Sequence, residues 1–128
     1  MAVTGTIGAA SVATSAWGPD TVYFYRMLLT TDSSAGTVTE VAVALPAGMI
    51  RAAKFIPNLG ATQPTNLFDA TLLDSDGLDL LGAGAGNLIN TGPTLVQSEV
   101  LFPGGSVYPT IAAGGNSKTI TLEIVVEV

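Results

Sequence analysis

The sequence predicts an all-β, single-domain protein: an antiparallel β-sandwich, jelly-roll-like, or a barrel of about eight strands. Two observations lead there. Short segments rich in Val, Ile, Thr and aromatic residues alternate with clusters of Gly, Pro, Asn and Asp, at spacings near those of sandwiches and barrels. No long segment repeats its apolar residues at the helical period, and strands without intervening helices pair antiparallel.

Residues 1–18 are small and rich in Gly, Ala, Ser and Thr. They predict an N-terminal arm or a first edge strand, with residues 19–128 forming the sandwich. Trp17-Gly18-Pro19-Asp20 reads as a turn. Residues 23–31 alternate as a strand, with Tyr23, Tyr25, Met27 and Leu29 on one face and Phe24, Arg26 and Leu28 on the other. After the loop Asp32-Ser33-Ser34-Ala35-Gly36, residues 37–45 give the clearest alternation: Val41, Val43 and Leu45 against Glu40, Ala42 and Ala44. Pro46-Ala47-Gly48 breaks that run.

The next strand, 50–56, sets Ile50, Ala52, Lys54 and Ile56 against Arg51, Ala53 and Phe55. A loop covers 57–64, and a strand at 68–73 turns Phe68, Ala70 and Leu72 inward. Asp74-Ser75-Asp76-Gly77 is a turn, because Asp-Gly is a strong hairpin signal. Residues 78–81 pair back or start a short helical turn. Four glycines make 82–92 the most irregular stretch. Strands follow at 95–102, 107–112 and 118–126. The last sets Ile120, Leu122, Ile124 and Val126 against Thr119, Thr121, Glu123 and Val125. Apolar almost to its end, it belongs inside a sheet.

Composition narrows the function. The chain has no His, no Cys, four basic and ten acidic side chains, so 11% of it is charged; an ordinary soluble domain carries about 25%. Acid–base and nucleophilic catalysis draw on His, Cys, Lys and paired carboxylates, so no enzyme and no cofactor are expected. A folded chain of this mass has roughly 6,300 Å² of surface. So few charges leave wide neutral areas on it, which are expected to be interfaces. Arg26, Arg51, Lys54 and Lys118 are scattered and the net charge is −6, which argues against binding nucleic acid through its phosphates. No apolar run approaches the ~20 residues of a membrane helix, and Met1-Ala2-Val3-Thr4 does not open a signal peptide. The absence of Cys fits synthesis in a reducing cytoplasm.

Four features of the sequence bear on chemistry. Asp74, Asp76 and Asp79 offer clustered oxygen donors of the kind Ca²⁺ takes. Their spacing departs from the EF-hand loop, however, and a solvated hairpin turn carrying charges is the favoured reading. Gly82-Ala83-Gly84-Ala85-Gly86-Asn87 lacks the Lys and the strand-to-helix setting of a phosphate loop and reads as a tight connection. Glu40, Glu99, Glu123 and Glu127 lie on or near strands, but nothing else supports a glycosidase pair. Trp17, Tyr23, Phe24 and Tyr25 form an aromatic cluster divided between core and interface.

The run Pro64-Thr65-Asn66-Leu67-Phe68-Asp69-Ala70-Thr71-Leu72-Leu73-Asp74-Ser75-Asp76-Gly77-Leu78-Asp79-Leu80-Leu81-Gly82-Ala83-Gly84-Ala85-Gly86-Asn87 resembles small virion structural proteins of tailed bacteriophages. The shared pattern is a Phe-Asp-x-Thr-Leu strand, an Asp-x-Asp-Gly turn, an Asp-x-Leu-Gly segment and a Gly/Ala-rich loop ending in Asn. Val107-Tyr108-Pro109 and Thr119-Ile120-Thr121-Leu122 fit it loosely, so the resemblance covers about the second half of the chain. It implies a β-rich subunit without enzymatic activity, made in the host cytoplasm and carried on the capsid surface. There it would act as a decoration (cement) protein, with itself (a small ring such as a trimer) and the major capsid protein as partners. The alternatives are a neck, tail or fibre component, and a carbohydrate-binding β-sandwich module. The arm carries the expected contacts: Ala2, Val3, Ile7, Val12 and Trp17, as a segment able to add to a neighbouring sheet.

Overall fold

The turn Asp74-Ser75-Asp76-Gly77 is the pivot of the sandwich from residue 20 onward. The computed structural model describes residues 5–17 and 20–128. Among them are nine strands and no helix: β1 (Thr6–Ile7), β2 (Ser11–Trp17), β3 (Asp20–Thr30), β4 (Val43–Leu45), β5 (Gly48–Pro57), β6 (Asp69–Leu73), β7 (Thr94–Phe102), β8 (Gly105–Ala112) and β9 (Thr119–Glu127). β3 pairs β9, β4 pairs β8 and β5 pairs β7, all antiparallel. In every one of these pairs the partners' residue numbers add to 149 or 150, as in Val22↔Glu127, Val43↔Val107 and Ala53↔Val96. The midpoint of each pairing falls near residue 75. The chain from β3 onward is therefore one long hairpin that bends at the Asp-Gly turn and is rolled up.

Rolling sends successive strands to alternate layers. The larger sheet has the order β1-β3-β9-β5-β7 with β2 also on β3, and the smaller one is β4-β8-β6. This is a sandwich with the long-hairpin logic of a jelly roll. The strand that would complete the smaller sheet is reduced to one bridge, Phe68↔Leu88. The folded surface is 6352 Å², close to the value expected from mass.

Alternation fixes which face is inside. Ile120, Leu122, Ile124 and Val126 of β9 are fully buried, as are Leu29 of β3, Leu72 of β6 and Val107 of β8. β9 lies at the middle of the larger sheet, between β3 and β5. The inward faces expected for residues 23–31 and 68–73 hold: Met27, Leu29, Phe68, Ala70 and Leu72 are all buried.

Two expectations fail, each for a local reason. In β5 the register shifts between Ile50 and Ala52 against both neighbours. Arg51 is the extra residue of a β-bulge against β9, and a bulge reverses the alternation beyond it. Ile50, Ala53 and Phe55 are thus buried, whereas simple alternation had put Ile50 opposite to Ala53 and Phe55.

The second failure is the strand at 37–45, of which only Val43–Leu45 pairs. Its partner strand contains Pro109, which stands opposite Leu72 of β6. The Leu72 N–H and C=O bond to Asp79 and Leu80 instead of β8, so the nitrogen of Pro109 faces the 37–45 side. Proline has no N–H to give. Pairing therefore lapses between Val43↔Val107 and the isolated bridge Val38↔Ile111, and Glu40 takes a φ of 60° in the gap.

Residues 78–81 pair back as expected: Asp79 bridges to Leu73, the Asp74 and Leu80 N–H groups donate to the Leu78 and Leu72 carbonyls, and Leu80 and Leu81 are buried.

Candidate interaction surfaces

The N-terminal segment lies along β3 as an edge strand. Ile7 faces Leu29, and Ser11 faces Arg26. Three residues, Gly8 to Ala10, oppose only Met27 and Leu28, so a bulge divides β1 from β2. The Gly8 N–H still donates to the Leu28 carbonyl at 2.8 Å.

The five interface candidates separate here. Ile7 packs against the core, whereas Val12 is half exposed at 50%. Trp17 closes the β2–β3 pairing opposite Asp20 through its backbone, and its side chain lies outside the described residues, as do Ala2 and Val3. Residues 11–15 are all exposed. Natural sheet edges are blunted by Lys, Pro or inward charges, and Ser11–Trp17 has none of these. Its outer row of backbone groups faces away from the sheet.

The outward face of the larger sheet is the second surface. Its residues form rows across β2, β3, β9, β5 and β7. One row is Ala13, Phe24, Val125, Ala52 and Gln97. The next is Ser11, Arg26, Glu123, Lys54 and Leu95. A third is Ser15, Val22, Glu127, Met49 and Leu101. Leu95 and Leu101 on edge strand β7 are 56% and 78% exposed. Arg26 pairs with Glu123 at 3.7 Å, and Arg51 pairs with Glu99 at 3.8 Å and Glu127 at 3.3 Å. An open groove of about 410 Å³ runs beside the bulge, lined by Arg51, Ala52, Leu95, Gln97 and Glu99.

Five of the candidate carboxylates, Asp74, Asp79, Glu99, Glu123 and Glu127, serve as backbone staples or ion-pair partners. Asp79 Oδ1 accepts the N–H of Leu72 at 3.1 Å and of Leu81 at 3.0 Å, and its Oδ2 that of Ala83 at 2.9 Å. Asp74 Oδ1 accepts from Asp76 and Leu78 within its own turn. Among the described residues no three metal-ligating side chains converge, so Asp74, Asp76 and Asp79 are not brought together as a Ca²⁺ cage. The Gly-rich loop has little left for a phosphate. The N–H groups of Gly82, Gly84 and Asn87 donate to Asp79, Leu81 and Asp69, and the Ala85 carbonyl accepts from Ala70. Glu99, Glu123 and Glu127 each face an arginine on the sheet, while Glu40 stands in the gap beside β4.

Asp32 plays the same part in the 32–37 loop, accepting from Ser34, Ala35 and Thr37. The N–H groups of Thr37 and Ala35, then the Ser34 hydroxyl and N–H, hold its carboxyl well below the ordinary carboxylate range against a smaller opposing effect of desolvation. Tyr23 and Tyr25 stand side by side with ring centroids 6.3 Å apart. Burial, then the neighbouring Tyr23, pushes the Tyr25 phenol above its usual value.

The sequence missed the outward sheet face as a unit. Its signal was present as apolar residues at outward positions (Phe24, Val125, Leu101), but the bulge at Arg51 scrambled the pattern in β5. No protein-family model matches the chain, and no curated protein resembles it in sequence.

Proposed function

We propose that the chain is a non-enzymatic structural subunit of a tailed-phage virion, most specifically a capsid decoration protein that binds the assembled head. The observation that carries this reading is the unblunted edge strand β2: five consecutive small residues, all exposed, on a sheet edge with nothing to deter pairing. Such an edge suits strand addition to a neighbouring protein. Three further points support it. The resemblance over residues 64–87 is to virion proteins. The jelly-roll arrangement recurs in capsid and lectin domains. Asp32, Asp69, Asp74 and Asp79 are engaged in holding loops, and Glu99, Glu123 and Glu127 in ion pairs.

Decoration needs no chemistry. A subunit that binds the assembled lattice and not its separated parts stabilises the lattice by mass action. The test is to add purified protein to heads lacking it and measure bound copies. Wild type is expected to saturate the heads. Val12→Lys and Thr14→Lys place charges on the free edge and are expected to abolish binding without loss of fold. Unchanged binding by both variants would remove β2 from the contact.

A further inference from the structure

We propose that the outward face of the larger sheet is the contact between two copies of this chain, packed sheet to sheet. This inference stands whether or not the chain belongs to a virion.

Charge distribution is the first argument. Three of the four basic residues, Arg26, Arg51 and Lys54, stand on this face with three glutamates, Glu99, Glu123 and Glu127. Among the described side chains of the face these six cancel in charge. Asp32, Glu40, Asp69, Asp74 and Asp79 lie away from it, in loops or on the smaller sheet, in a chain whose net charge is −6. Two copies meeting through those acidic parts would repel. Two copies meeting through the balanced face would not. Its ions are also matched in advance: Glu123 sits between Arg26 and Lys54 in one row, and Arg51 bridges Glu99 and Glu127. They would enter an interface as pairs and not as bare charges.

Size and shape are the second argument. Five strands at ~4.8 Å spacing and about nine residues of length give a face of roughly 24 by 30 Å. Each copy would then cover about 700 Å², near the ~800 Å² per partner of a standard stable interface. The central row is uncharged: Val125 on the middle strand, flanked by Phe24 and Ala52. Antiparallel sheets that face water present mainly polar residues outward. This one sets Phe24, Leu28, Val125, Ile56, Leu95 and Leu101 among its ion pairs, an apolar content that a contact with a second copy would bury.

The experiment is sedimentation equilibrium of the full chain at micromolar concentrations. Wild type is expected to associate, with the face pair as its basic unit. Val125→Glu and Leu101→Glu are each expected to weaken association at least tenfold, with far-UV circular dichroism and Tm unchanged. Leu78→Glu, an exposed leucine in the pivot turn, is the control and should associate like wild type. Leu101 is too exposed to matter for folding, so its variant keeps the test valid if Val125→Glu fails to fold. A wild type that stays monomeric would overturn the proposal. An oligomer that survives both variants but is lost in Thr14→Lys would also overturn it, placing the self-contact on β2.

Discussion

Arg51 Nη1 stands 3.3 Å from Glu127 Oε1, reaching from the bulge of β5 to the last residue of β9. The arginine follows inward-facing Ile50 and so points outward, where it meets Glu99 as well, while the bulge keeps Ala52 on the same face beside it. Exposed ion pairs contribute little, because water already solvates both partners. Arg51→Ala is therefore expected to cost no more than about 1 kcal/mol in urea unfolding.

Asp79 is expected to matter more, since three backbone N–H groups depend on its carboxylate. Asp79→Ala removes charge-assisted bonds that tie the end of β6 to the pivot loop. The expected loss is about 2–3 kcal/mol by chemical denaturation. Millimolar calcium or a chelator should leave the Tm of wild type unchanged, because these oxygens are committed to the backbone.

Asp32 gives a pH signature. Its folded-state pKa is depressed, so its stabilisation is complete above the unfolded value of about 4 and is lost as pH falls below it. Tm measured against pH should show wild type more stable than Asp32→Asn at neutral pH. The two curves should converge as the solution becomes strongly acidic.

Thr31 is a buried polar residue that joins two loops. Its Oγ1 donates to the Gly115 carbonyl at 2.6 Å and accepts the Lys118 N–H at 2.8 Å. Thr31→Val keeps the shape and strands both backbone groups. A loss of about 1–3 kcal/mol is expected in thermal or urea unfolding. Thr31→Ser, which keeps the hydroxyl, should recover most of it.

Where one strand's own alternation decides the outcome, the fold was legible in the sequence. β9 reads inside-out without error because Ile120, Leu122, Ile124 and Val126 meet a layer on one side only. The same holds for Met27 and Leu29. What single-strand reading lacks is the partner. The split of 37–45 depends on Pro109, some sixty or seventy residues away in sequence, and the reversal at Arg51 depends on two neighbouring strands. The turn at Asp74-Gly77 was plain, but not that it closes the sandwich from residue 20 onward. The acidic residues misled for a related reason: a carboxylate that staples backbone N–H groups and one that ligates a cation look alike until the loop is folded.

The most direct test of the proposed role is to look for this chain in purified tailed-phage particles produced by cells that express it, and to measure its copy number against the major capsid protein by quantitative mass spectrometry. A decoration protein is expected in numbers comparable to the capsid subunit. A handful of copies would contradict decoration and place the chain at the neck or tail, and complete absence would contradict a virion role altogether.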